Sequence, residues 1–254
     1  MPLPTSRSRS FFVLAVVMAL GLVACSNSTL DLFDPNAGLI AHWALDEAIP
    51  GSTATDASGL GSDATPSATP PIPSTETPPV HFADPYSLSF DGKTQWLDLG
   101  NPAILNLGGA LTITAWIRAT AFDGTRNILS HGFRATPAQE VALRFRSGEY
   151  QFTFWNVPDH YAHVAIPATD MGTWVHLAGV FDGARYLLYK NGELVAQTAD
   201  TTTPTPNIDA SWGIGGRIPP VGDDERRLFQ GFIDDIRVYG RALSAGEIGA
   251  LARR

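Results

Sequence analysis

Turn-forming residues interrupt this chain too often for long elements to form. Between the interruptions the apolar residues alternate with a period of two, the pattern of half-buried strands. Over residues 111–118, Leu111, Ile113, Ala115 and Ile117 face one way against Thr112, Thr114, Trp116 and Arg118. Residues 141–146 and 150–155 flank a turn at Ser147-Gly148-Glu149. Residues 186–189 meet Val195 across Asn191-Gly192, the dipeptide that best favours a tight hairpin. Further strands are predicted at 38–46, 86–90, 95–99, 127–130, 174–181, 212–215 and 231–239. Short antiparallel strands in such succession specify an all-β sandwich, and 24 Gly with 19 Pro in 254 residues supply its turns. One helix is predicted at the end. Ser244-x-x-Glu247 matches a capping box, with Ile248 and Leu251 on one face.

The first residues read as a targeting segment and stand outside the fold. Arg7 and Arg9 precede an apolar run that ends at Leu22-Val23-Ala24-Cys25. About 14 apolar residues span roughly 21 Å as a helix, short of the ~30 Å hydrocarbon core of a membrane. The run resembles the lipobox of bacterial lipoproteins. That resemblance implies cleavage of residues 1–24, a diacylglycerol on the Cys25 thiol and, with Ser26 next, the outer membrane if the host has one. Cys25 is the only cysteine, so no internal disulfide can form. Residues 25–37 read as a short tether and 38–254 as one domain. The net charge of −8 excludes binding of nucleic acid through a basic surface. Residues 62–85 are rich in Pro, Ser and Thr and read as a surface insertion outside any ladder or helix.

Seven segments carry a family resemblance. They are Gly38-Leu-Ile-Ala-His-Trp-Ala-Leu-Asp-Glu47, Asp56-Ala-Ser-Gly59, Leu88-Ser-Phe-Asp-Gly92 and Leu111-Thr-Ile-Thr-Ala-Trp-Ile117, then Trp174-Val-His-Leu-Ala-Gly-Val-Phe-Asp-Gly183, Leu188-Tyr-Lys-Asn-Gly-Glu-Leu-Val195 and Gly231-Phe-Ile-Asp-Asp-Ile-Arg-Val-Tyr-Gly-Arg-Ala-Leu-Ser244. In this order, over about 38–252, they resemble the laminin-G-like, concanavalin A-like family. The resemblance implies a jelly-roll of two antiparallel sheets, often used to bind carbohydrate or protein and often holding Ca²⁺. Fold alone does not fix the ligand.

Two groups of residues are candidates for chemistry. Calcium takes about six to eight oxygens. In such a jelly-roll the first and last strands lie side by side, which would bring Asp46 and Asp56 near Asp234. Alternation sets Asp234 with Ile236 and Val238, facing inward, and Asp235 with Arg237. Turn ties and solvated strand ends account for the same carboxylates without a metal. The second group lies in the 141–155 hairpin. Leu143, Phe145, Tyr150, Phe152 and Phe154 suit the core, which leaves Arg144, Arg146, Gln151, Thr153 and Trp155 on the other face. Such a face can stack a sugar ring and bind its hydroxyls, or can be an ordinary solvated sheet. Asp159, His160 and Tyr161, read as a loop, and the acidic Asp223-Asp224-Glu225 loop would border it. Trp43, Trp116 and Trp174 read as core.

Catalytic patterns are missing. Hydrolases of this fold carry Glu-x-Asp-x-x-Glu on one strand, and the chain has no such string. Nor does it contain a nucleophile elbow, a zinc helix or a phosphate loop. His160-x-x-His163 reads as incidental. The sequence therefore predicts a cell-envelope lipoprotein bearing a non-catalytic binding domain for a glycan or an extracellular protein. A structural role in the envelope is the alternative, and a hydrolase the third reading.

Overall fold

The computed structural model describes Met1 and residues 33–253, apart from 133, 136–137, 157, 205–209 and 219–225. Residues 2–24 of the leader, Cys25 and the Asp223-Asp224-Glu225 loop therefore lie outside the described residues. The strands among these residues are β1 (Leu39–Trp43), β2 (Thr65–Pro66), β3 (Ile72–Ser74), β4 (Ser87–Asp91), β5 (Leu97–Gly100), β6 (Leu111–Ala119), β7 (Thr125–His131) and β8 (Arg134–Ala135). They continue with β9 (Ala138–Arg146), β10 (Glu149–Trp155), β11 (Asp159–Ala165), β12 (Val175–Phe181), β13 (Arg185–Lys190), β14 (Glu193–Ala199), β15 (Trp212–Ile214) and β16 (Gln230–Tyr239), and α1 (Ala245–Leu251) follows. The strands form two antiparallel sheets. Sheet 1 runs β14-β13-β12-β6-β16-β4-β3, with β1 also on β16. Sheet 2 runs β11-β10-β9-β7-β15-β5-β2, with β8 on β9.

Local signals built the hairpins as expected. Asn191 and Gly192 both take positive φ (50° and 87°), as do Ser147 and Gly148 (54° and 77°), the geometry that matches strand twist in a two-residue turn. Alternation then stacks the sheets. Ile113, Ala115 and Ile117 of sheet 1 join Leu143, Phe145, Tyr150, Phe152 and Phe154 of sheet 2 in one buried core. At Gly179 the sheets touch so closely that a Cβ would lie 2.3 Å from the Phe152 ring.

A second cluster covers the opposite face of sheet 1. There Ile248 and Leu251 of α1 pack with Ala178, Val180, Leu187 and Tyr239. The capping box is formed in both directions between Ser244 and Glu247. Phe33 packs against this cluster and the Pro35 carbonyl accepts from the Tyr239 hydroxyl, so the packed domain begins before residue 38. Trp43 and Trp116 are buried. Trp174 is only half-buried, tilted against Phe232, and does not belong to the core.

The proline-rich stretch corrects the expectation. It supplies β2 and β3, an edge strand for each sheet, with Pro66 opposite Leu97 and Pro73 opposite Leu88. An edge strand bonds on one side only, so a missing N–H on its free side costs no ladder bond. Side chains tie the strap down: Gln95 donates to the Pro70 carbonyl and Ser87 to that of Glu76.

Two further departures set up the functional site. In β16 the register against β6 slips between Asp234 and Arg237, a bulge in which Asp235 takes φ 40°. The extra residue resets the alternation. Asp234 pairs with Trp116 and faces away from the core, whereas Ile236 and Val238 point into it. The expectation that Asp234 shares a face with Ile236 is thus wrong. The second departure follows β15, where residues 215–218 and 226–229 fold back over the outer face of sheet 2. The Asn127 amide donates to the Arg227 carbonyl, and the Arg217 amide to that of Arg226. Glycines permit the approach, since a Cβ on Gly132 would lie 2.3 Å from the Ile218 carbonyl oxygen. Gly132→Ala is expected to cost about 2 kcal/mol or more in urea unfolding, because the obstructing atom is backbone and cannot swing aside.

Candidate functional site

The outer face of sheet 2 carries the residues singled out in the 141–155 hairpin, but in two different settings. Arg144 is fully buried. Its guanidinium lies 3.3 Å from Glu140, 3.6 Å from Asp159, and its Nε donates to Gln151 at 3.2 Å. Glu140 also meets Arg227 at 2.8 Å and accepts from Asn127 at 3.0 Å. Burial pulls the Arg144 guanidinium below its usual value, opposed by the charges of Glu140 and Asp159. Thr153 is buried too, its hydroxyl donating to Asp159 at 2.7 Å. Arg144, Thr153 and nearly buried Gln151 thus fix the sheet and do not present a free surface. The folded-back segment with Arg227 explains their burial, and no local pattern announces it.

Toward the β11 edge the face opens. Trp155 is half-buried, and the Arg146 side chain is 46% exposed, 3.3 Å from Asp159. Residues 159–161 are strand, not loop. Asp159, Tyr161 and His163 pair across from Trp155, Thr153 and Gln151 and extend the same outer face. His163 meets the Tyr161 ring edge-on at 4.9 Å and the Glu149 carboxylate at 2.9 Å. His160 alternates to the other side of β11, stacked on Phe154 and paired with Asp200. A groove of about 260 Å³ lies along this edge, lined by Asp159, His160, Tyr161 and His163 and by Thr198 and Asp200 from the neighbouring β14 side. Tyr161 was expected to border this face, whereas His163, read as incidental, joins it through the pairing of β11 with β10.

The candidate calcium ligands separate. Asp56 accepts the backbone amides of His42, Ser58 and Ser62, so it is a tie between turns. Asp46 accepts the Tyr86 amide at 3.3 Å. Asp234 is buried on the outer face of sheet 1, where β16 passes from pairing with β4 to pairing with β1. Asp84, which was not among the expected ligands, lies close to it. Burial, with the charges of Asp46 and Asp235, pushes Asp84 up to about 7; burial, with the charge of Asp84, pushes Asp234 up to about 10, and burial also raises Asp46. Asp84 Oδ2 and Asp234 Oδ2 are buried without a hydrogen-bond partner. Donors of this kind suit either a shared proton or a hard cation. Among the described residues, no group of three or more His, Cys, Asp or Glu side chains is gathered as a metal site. Asp235 differs from its neighbour: held by His42 at 2.7 Å and Arg237 at 2.9 Å, it stays ionised, pulled down to about 2 against its burial.

Two facing antiparallel sheets, one with an open polar and aromatic outer edge, define a β-sandwich of the lectin type. The model of the concanavalin A-like lectin/glucanases superfamily matches residues 91–249, and the chain belongs to that superfamily. No curated protein matches it. Among solved structures, domain 4 of the extracellular arabinanase AbnA of Geobacillus stearothermophilus, in complex with arabinotriose, superposes with a TM-score of 0.64 at 19% identity over 85% of this chain and 98% of that one. The binding domain of botulinum neurotoxin DC, in complex with rat synaptotagmin II, gives 0.62 at 12% identity over 86% of this chain and 52% of that one. A second complex of that domain, with SialylT, gives 0.59 at 12% over 85% and 51%. The chain thus spans about half the length of the toxin domains, and at these identities the likeness is one of fold.

The Asp84–Asp234 pair gives stability a pH dependence. A carboxyl raised on folding stabilises fully below its usual value of 3.8, and that stability is lost as pH rises through about 7 for Asp84. Buried His176 acts oppositely. Lowered to about 4 by burial, its contribution is present above 6.5 and lost as pH falls. Asp84→Asn is therefore expected to flatten the decline in melting temperature between about pH 5 and pH 8 relative to wild type. An unchanged pH profile would show that the pair holds no proton.

Proposed function

We propose that the chain is an exported lipoprotein, anchored to the cell envelope through Cys25, whose sandwich is a non-catalytic binding domain for a glycan or an extracellular protein. The observation that carries the binding reading is the open β11 side of sheet 2, where Trp155 and Tyr161 stand beside the fixed Arg146–Asp159 and His163–Glu149 pairs. Aromatic faces stack on sugar rings, and charged pairs already held in place lose little freedom on accepting hydroxyls. Arabinotriose, SialylT and a protein receptor appear with the similar folds, which supports a ligand of either kind. The anchor rests on the lipobox-like sequence alone.

Structural Ca²⁺ is also proposed, at the notch between β1, β4 and β16. Asp84 and Asp234, whose Oδ2 atoms are buried without a hydrogen-bond partner, would hold it, whereas Asp46 and Asp56, expected beside Asp234 from the neighbouring first and last strands, are bound to backbone amides. A cation there would relieve the repulsion among these carboxylates.

Three measurements check this reading. On a glycan array the mature chain is expected to bind, with Trp155→Ala or Tyr161→Ala losing roughly tenfold or more in affinity. Unchanged binding in both variants would move the ligand elsewhere on the domain. Labelled palmitate is expected to enter the wild-type protein in cells and not Cys25→Ala. Millimolar Ca²⁺ is expected to raise the melting temperature of the wild type but not of Asp84→Asn, and an unmoved wild type would remove the metal.

A further inference from the structure

We propose that the cleft beneath Trp96, at the opposite edge of the same sheet, is a second saccharide subsite, for neutral or amino-bearing sugars. The inference rests on the binding-domain reading but not on the β11 groove. The cleft encloses about 570 Å³ and is lined by Asp63, Thr65, Ser67, Trp96 and Asp98, with Pro66. That volume lies within the roughly 300–1,000 Å³ of small-ligand sites.

The strap and β5 build it together. Thr65 pairs across from Asp98, and both stand on the outer face because Leu97 and Leu99 point into the core. Trp96 continues that alternation outward. Its backbone is clamped on both sides by Ser67, whose amide donates to the Trp96 carbonyl and whose hydroxyl accepts from the Trp96 amide. The Arg226 guanidinium sits 4.3 Å from the centre of the indole, yet Arg226 does not line the cleft. The cation fixes the ring from the folded-back segment, leaving the indole edge and remaining face as the cleft wall.

The polar groups are equally set. Asp98 accepts the Gly100 amide and Asp63 the Asp56 amide, each at 2.8 Å through Oδ1, and among the described residues the second oxygen of each carboxylate takes no further bond. A positioned indole with two oriented carboxylates suits a sugar ring that donates hydroxyls or an ammonium. The lining carries two acids and no base, on a chain of net charge −8, so it disfavours sialic and uronic acids. The β11 groove, next to Arg146, has no such bias.

Isothermal titration of the mature chain with the trimers of N-acetylglucosamine and glucosamine, and with sialyllactose, tests the assignment. Both neutral and amino trimers are expected to bind, with Trp96→Ala and Asp98→Asn each weakening them by roughly tenfold or more. Asp98→Asn keeps the shape of the cleft, and an unchanged melting temperature confirms that the fold survives. Trp155→Ala is expected to leave this binding intact. Trimer binding lost in Trp155→Ala but unchanged in both cleft variants would overturn the subsite and leave the β11 reading standing. Sialyllactose bound through Trp96 as tightly as the trimers would overturn the sugar class. No binding of any of the three saccharides would overturn the subsite, while a protein ligand held at the β11 groove would preserve the broader reading.

Discussion

Sheet 1 depends on a change of partner along one edge of β16. Its first half pairs with β4 and its second half with β1, while the other edge runs the whole length of β6. Two strands cannot meet end to end on a third without leaving backbone groups unserved at the junction. The Asp235 bulge sits at this junction, where Asp234 accepts the Asp235 amide. Asp235 in turn binds His42 of β1 and Arg237 of β16. A buried carboxylate held by two partners is costly to orphan, by about 3–5 kcal/mol when one partner goes. The join between the first and last strands is therefore fixed by the His42–Asp235 hydrogen bond as well as by ladder bonds.

The same junction explains why adjacent aspartates behave oppositely. Asp235 has the Arg237 guanidinium and the His42 ring within hydrogen-bonding distance and stays ionised. Asp234, one residue earlier, faces Asp84 and Asp46 and is pushed toward its neutral form. Burial is nearly complete for both, so the sign of the neighbouring charge decides between them.

How much was legible follows from how far each feature depends on distant residues. The Asn191-Gly192 and Ser147-Gly148 turns, the Ser244–Glu247 box and the alternation of β9 and β10 are settled within a few residues and read directly. The parity of Asp234 was not legible, because one bulge residue inverts every assignment made by counting from Ile236. Pro66 and Pro73 argued against strands, and only their edge positions make them tolerable. Asp84 lies far from Asp234 in sequence, next to Pro85, and nothing local marks it as a partner.

The outer face of sheet 2 shows the same limit in a form that bears on function. Alternation correctly placed Arg144, Arg146, Gln151, Thr153 and Trp155 on one side, but side does not determine exposure. The returning segment lays Arg227 on Glu140 and Ile218 over Gly132, which buries the middle of the face and converts Arg144 from a reachable cation into a cross-brace. A continuous polar sheet thereby becomes two openings separated by the chain's own backbone. Their chemistries diverge because different strands supply them: β10 and β11 give rings with paired charges, the strap and β5 an indole with two acids. A ligand long enough to engage both would have to cross the ridge at Arg226 and Arg227, where the guanidinium groups are already committed to Trp96 and Glu140. The two ends are thus separate openings rather than one long groove.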